Sequence, residues 1–163
     1  MSANISSTFS KNTLFPYIIN NTLSVPTTAT LITEAGSVWK FGNFPLNISG
    51  TIDVNGTTGD PVLFTSLWDD SDGNDVHSTG STTPLLLQNS GIYMQPNSIS
   101  DFLNSTIRYM HIGLSYNTSP ISLENILLEH NDTGLSAPSG TTITKAINVV
   151  FDGNNATSTI QLP

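Results

Sequence analysis

The sequence predicts an all-β solenoid built from three short strands per turn, and three observations support that reading. Apolar β-type runs of three to five residues are broken by Gly, Pro and Asn stretches, not joined by the dipeptides of tight hairpins. The runs recur as a group at a nearly constant interval, which is the mark of a stacked repeat. No segment longer than one turn carries helical periodicity; residues 100–104 are the nearest approach.

Residues 46–66 set the pattern. Leu46-Asn47-Ile48, Thr51-Ile52-Asp53-Val54 and Val62-Leu63-Phe64-Thr65 are separated by Ser49-Gly50 and by residues 55–61. Upstream, Leu23-Ser24-Val25 stands 23 residues before Leu46, and Thr30-Leu31-Ile32 stands 21 before Thr51. Val38-Trp39-Lys40-Phe41 stands 24 before Val62. Downstream, residues 125–131 align with 148–154 at a shift of 23, and 105–109 precede them at a shift near 19. That register stacks Tyr109, Leu128 and Phe151, and likewise Ile107, Ile126 and Val149. It also pairs Asn125 with Asn148 and Asn131 with Asn154, where side-chain amides can satisfy turn backbone. Residues 1–12 are expected to be a frayed polar segment, and 13–163 a single domain. Residues 67–83 interrupt the repeat as an inserted loop carrying Asp69, Asp70, Asp72 and Asp75.

Composition narrows the function. The 163 residues include only four Lys and Arg against twelve Asp and Glu, for a net charge of −8. Nucleic acid is a poor partner for such a chain, because phosphate binding needs clustered cations. An anionic membrane surface is disfavoured for the same reason, and no apolar stretch is long enough to insert as a helix. Cysteine is absent, which removes disulfides and thiolate metal sites. The first residues lack the basic and apolar regions of a signal peptide, so an export signal has been removed or the chain is cut from a longer one. Asn-x-Ser/Thr occurs at Asn4, Asn20, Asn47, Asn55, Asn104, Asn117, Asn131 and Asn155, which favours an exported, glycosylated protein.

Residues 23–42 (LSVPTTATLITEAGSVWKFG) followed by 46–75 (LNISGTIDVNGTTGDPVLFTSLWDDSDGND) resemble the repeats of right-handed parallel β-helix proteins, the pectin-lyase-like superfamily. The likeness is to the version found in large secreted and surface-attached proteins of bacteria and archaea. Residues 123–134 (LENILLEHNDTG) and 146–155 (AINVVFDGNN) are similar to that family's asparagine-bearing turns. The resemblance covers residues 23–154 and implies a right-handed, single-stranded parallel β-helix of about seven turns.

It also implies what an enzyme on this fold would need. Family enzymes act on acidic polysaccharides through paired or triple Asp beside Arg or Lys, and here Arg108 with Asp132 and Glu129 is the nearest equivalent. A glycoside hydrolase needs two carboxylates about 5–10 Å apart, and Glu129 and Asp152, which align on adjacent turns, are the candidates, with Glu124 beside them. His77, His111 and His130 show no metal-ligand spacing. Asp70, Asp72, Asn74 and Asp75 place oxygen donors at alternating positions, so calcium is the cation this loop would take. It departs from the EF-hand pattern, with Gly73 early and Ser81 where a bidentate Glu would stand. The resulting expectation is a non-catalytic structural or adhesive module of a cell-surface or virion assembly. Its partner is a surface or assembly protein, or a polysaccharide, and it is open to oligomerisation. A carbohydrate-active enzyme or polysaccharide-binding domain is the alternative.

Overall fold

The computed structural model describes residues 6–73, 76, 84, 87–117 and 120–158. Fifteen strands follow one another among them, and every strand pairing is parallel. The first turns use three separate strands each: β1 (Ser6–Phe9), β2 (Tyr17–Ile19), β3 (Leu23–Val25), then β4 (Thr30–Glu34), β5 (Val38–Phe41) and β6 (Pro45–Ile48). They are followed by β7 (Thr51–Asn55), β8 (Val62–Ser66) and β9 (Leu87–Met94). In later turns the first two strands fuse into one bent strand: β10 (Ile99–Arg108), β11 (Met110–Tyr116), β12 (Ile121–Glu129), β13 (Thr133–Ser136), β14 (Ile143–Asp152) and β15 (Ala156–Ser158).

The result is a three-sided parallel β-solenoid. One sheet runs β3-β6-β9-β11-β13-β15. The other two sides form a single bent sheet, because the first half of β10 pairs with β7 and its second half with β8. The strands of the first sheet mark about six turns, not seven. Ser6–Phe9, inside the segment expected to fray, pairs with β4 and starts the stack. Among the described residues no helix is long and apolar enough to cross a membrane.

Alternation along each strand sends one set of side chains inward, where like packs on like. Leu23, Leu46, Ile92, Leu114 and Leu135 form one row, and Val25, Ile48, Met94 and Tyr116 the next. Across the core, Tyr17, Trp39, Phe64, Ile107, Leu128 and Phe151 form a continuous row. Trp39 stacks on Phe64 at 6.3 Å, and Phe64 meets Phe102 edge-on at 6.5 Å. These contacts add aromatic attraction to simple burial.

This row corrects two expected registers. Arg108 pairs with Glu129 and Ile107 with Leu128, a shift of 21 where 19 was expected, so Ser105, not Ile107, lies under Ile126 and Val149. Tyr109 drops out of the core row. It occupies a corner at φ 57° and stacks its ring on His130, 5.4 Å away. Val38 pairs with Leu63 and not with Val62, because the connection from Asn55 to Leu63 is four residues longer than that from Glu34 to Val38, one more than the expected spacing allowed.

The sharp corners explain the asparagines. Asn104, Asn125 and Asn148 hold φ of 46°, 54° and 50°, a left-handed conformation that Asn tolerates better than other side chains with a Cβ. Each bends its long strand by a single residue. Their amides form a ladder: Asn148 Nδ2 donates to Asn125 Oδ1 at 2.8 Å, and Asn125 Nδ2 to Asn104 Oδ1 at 3.1 Å. The expected Asn131/Asn154 pair is also present, with Asn131 Nδ2 donating to Asn154 Oδ1 at 3.0 Å. At the Ser49-Gly50 corner, a Cβ on Gly50 would lie 2.2 Å from the Pro26 carbonyl oxygen. Only glycine lets these successive turns approach so closely.

Candidate functional site

The described part of the inserted loop folds back onto the outer face of β5, β8 and β10. On β5, Trp39 and Phe41 face the core, so Lys40 must face outward. Even so it is fully buried, because the loop covers it. Its ammonium donates to the Asp69 carbonyl at 2.7 Å. Asp69 is itself 1% exposed. Thr65 Oγ1 donates to Asp69 Oδ2 at 2.5 Å, and the Ser71 hydroxyl and backbone N–H donate to Oδ1.

Arg108 closes this arrangement from the neighbouring turn. Its Nε donates to Asp69 Oδ2 at 2.8 Å, and its Nη2 reaches Asp69 Oδ2 at 2.7 Å, Ser71 Oγ at 2.8 Å and Asp72 Oδ2 at 2.6 Å. Nη1 lies 3.4 Å from Glu129 Oε1, and the guanidinium carbon 5.6 Å from the Tyr109 ring centre. Burial works against the Asp69 charge, but the hydrogen bonds from Ser71 and Thr65 and the Arg108 guanidinium outweigh it and hold the carboxyl below its ordinary value. The same carboxylates push Arg108 upward against its own desolvation. The pair stays ionised across the neutral and mildly acidic range.

The candidate catalytic residues are only partly brought together. Glu129 does reach Arg108, and Asp152 lies in register beside Glu129 on β14. Asp132 does not join them. It sits past the next corner, 3.0 Å from His111 Nδ1, and accepts from Asn155 Nδ2 at 2.7 Å. Glu124 is paired with Lys145. A concavity of ≈500 Å³ runs along this face, lined by Lys11, Asp60, Asp72, Arg108 and Glu129 among others, and Asp152 is not part of its wall. Lys11 and Asp60 form an exposed ion pair of 2.9 Å within it.

The calcium candidates separate in the same way. Asp72 is engaged by Arg108, and Asp70 Oδ1 is enclosed with no hydrogen-bond partner among the described residues. Asn74 and Asp75, like His77, lie outside the described residues. No group of three or more His, Asp or Glu among the described residues is placed to hold a metal ion. The carboxylates of Asp69 and Asp72 already share a protein counter-charge, the Arg108 guanidinium, while Lys40 ties down the Asp69 carbonyl.

Among the sequons, Asn131 is 1% exposed with its amide in use on both sides, and Asn104 donates to the Gly56 carbonyl while accepting from Asn125. A glycan at either position would break bonds that hold a corner. Asn20, Asn55, Asn117 and Asn155 are exposed, Asn47 is half-buried, and Asn4 lies outside the described residues. The anchoring roles of Asp69, Thr65 and Ser71 have no repeat signal behind them. The one clue was a lysine flanked by Trp39 and Phe41 on an otherwise apolar strand. Comparison of the chain with protein-family models, curated proteins and solved structures finds no match.

Proposed function

We propose that the protein is a non-catalytic extracellular β-solenoid module, structural or adhesive, of a cell-surface or virion assembly, built on the pectin-lyase-like pattern. One observation carries this reading. Arg108, the cation that chemistry on an acidic polysaccharide would require beside its carboxylates, is committed to Asp69, Ser71, Asp72 and Glu129. A guanidinium so engaged fastens a loop; it is not free to meet a sugar carboxylate. The sparse charge, the acidic balance and the exposed sequons fit an exported surface on which few groups change state with pH.

The test is turnover against stability in the same variant. Incubation with polygalacturonate, its methyl ester and neutral polysaccharides, with and without calcium, is expected to release no unsaturated or reducing ends. Arg108→Gln is expected to lower the melting temperature. Sustained turnover that Arg108→Gln or Glu129→Gln abolishes, with the fold intact, would make the protein a carbohydrate-active enzyme instead.

A further inference from the structure

We propose that the outer face of the six-stranded sheet seats a neutral saccharide, one ring of which stacks on Tyr93. This rests on the adhesive reading above and gives it a ligand class. Tyr93 lies between the inward-facing Ile92 and Met94 of β9 and is half-buried on the outer side. A concavity opens on each flank. One, of ≈460 Å³, is bordered by Tyr93, Gln95, Ser115, Asn117, Ser136 and Pro138 among others. The other, of ≈410 Å³, is bordered by Thr22, Asn43, Phe44, Pro45, Asn47 and Tyr93. Strand register aligns Asn47, Tyr93, Ser115 and Ser136 on four successive turns, at about 4.8 Å per step.

Among the described residues, neither concavity has an Asp, Glu, Lys, Arg or His in its wall. The concavity over β5, β8 and β10 has five such residues. In a chain of net charge −8, an uncharged strip of amides and hydroxyls beside the Tyr93 and Phe44 rings selects against ions and suits a polyhydroxylated ligand. Sugar hydroxyls exchange hydrogen bonds with Asn and Ser, while the C–H face of a pyranose covers the tyrosine ring. Gly91 shapes this platform. Its φ is 148°, and a Cβ there would lie 2.0 Å from the Ile112 carbonyl oxygen and 3.2 Å from Tyr93 Cε2. The ring therefore leans over a position that has no side chain.

The sequons supply an independent pointer to the same ligand. Asn47 borders one concavity and Asn117 the other, on opposite flanks of Tyr93. The saccharide therefore has two sources, a glycan carried on Asn47 or Asn117, or a neutral glycan from outside, and the experiment separates them. Unglycosylated protein is titrated by calorimetry with neutral gluco-, manno- and xylo-oligosaccharides, and with oligogalacturonate of equal length. An outside source predicts binding of a neutral oligosaccharide, weakened about tenfold or more by Tyr93→Ala, largely kept by Tyr93→Phe and untouched by Arg108→Gln. A carried source predicts a glycan on Asn47 or Asn117 in protein from a glycosylating host. Its enzymatic removal then lowers the melting temperature, and Tyr93→Ala abolishes that difference. The proposal is overturned by equal or tighter binding of oligogalacturonate. It is also overturned if no neutral ligand binds up to about 10 mM and any attached glycan acts equally with and without Tyr93→Ala. That second result, with no turnover, leaves the structural module standing.

Discussion

Asn131 holds a corner of the later turns through three side-chain hydrogen bonds. Its Oδ1 accepts the Met110 N–H at 2.9 Å, and its Nδ2 donates to the Ile107 carbonyl at 3.0 Å, so one amide ties both ends of the Tyr109 corner. Its own N–H is held by Asn154 Oδ1 at 2.8 Å. Because Asn131 is buried, truncation leaves backbone groups unpaired, at about 1–3 kcal/mol each. Asn131→Ala is therefore expected to lose about 2–4 kcal/mol in a urea titration. Asn131→Asp keeps an acceptor for Met110 but cannot donate to Ile107, and should recover only part of that loss. Wild-type stability in both would mean that water replaces the amide. Asparagines recurring at the repeat interval made this corner legible in the sequence. That Asn131 is a buried sequon was not legible, because the motif for a glycan and the chemistry of a corner amide are the same residue.

At the scale of the element, residues 67–73 act as a cover fastened over the face of β5, β8 and β10. Removing the guanidinium leaves Asp69 buried and charged without its counter-charge, so Arg108→Gln should cost about 3 kcal/mol, the low end for breaking a buried pair. The pH dependence has a definite sign. The folded Asp69 carboxyl lies below its ordinary value, so its contribution is full above the unfolded value of 3.8 and is lost as pH falls through the lower folded one. Thermal melts should thus be insensitive to Asp69 from neutral pH to about 5 and turn down below about 4, a downturn that Asp69→Asn flattens. A melt of Asp69→Asn parallel to that of the parent down to pH 2 would remove Asp69 from the account. Calcium belongs to this element too. With Arg108 in place, two carboxylates already have a counter-charge, so added calcium should raise the melting temperature of Arg108→Gln more than that of the parent. The sequence showed the acidic cluster and the two nearest cations. It could not show the fold-back that joins them, because an insertion has no partner in the next turn from which to infer its path.

For the whole molecule, the repeat was visible because stacking makes each turn a template for the next, and Leu23/Leu46 and Thr30/Thr51 pair as their spacing implied. The misplaced registers fell where turn length changes, at Val38 and at Tyr109, where one or two residues move a whole strand against its neighbour. Such a stack is quasi-one-dimensional, so the cost of a core substitution should depend on how many turns lie on either side of it. Leu128 is wholly buried, with β10 below it and β14 above. Phe151 occupies the same row on β14 and is only partly buried, alongside Ile147 and Val150, which are 46% and 51% exposed. Side-chain size alone ranks Phe→Ala above Leu→Ala. Position in the stack reverses that order: Leu128→Ala should cost about 3 kcal/mol, and Phe151→Ala should cost less. Native-state hydrogen exchange should agree, with amides of β14 and β15 opening at lower free energy than those of β10 and β11. If Phe151→Ala proves the costlier in a urea titration, and its cost grows with protein concentration, then another molecule covers this end of the row in solution, and β14 is an interior turn of an assembly.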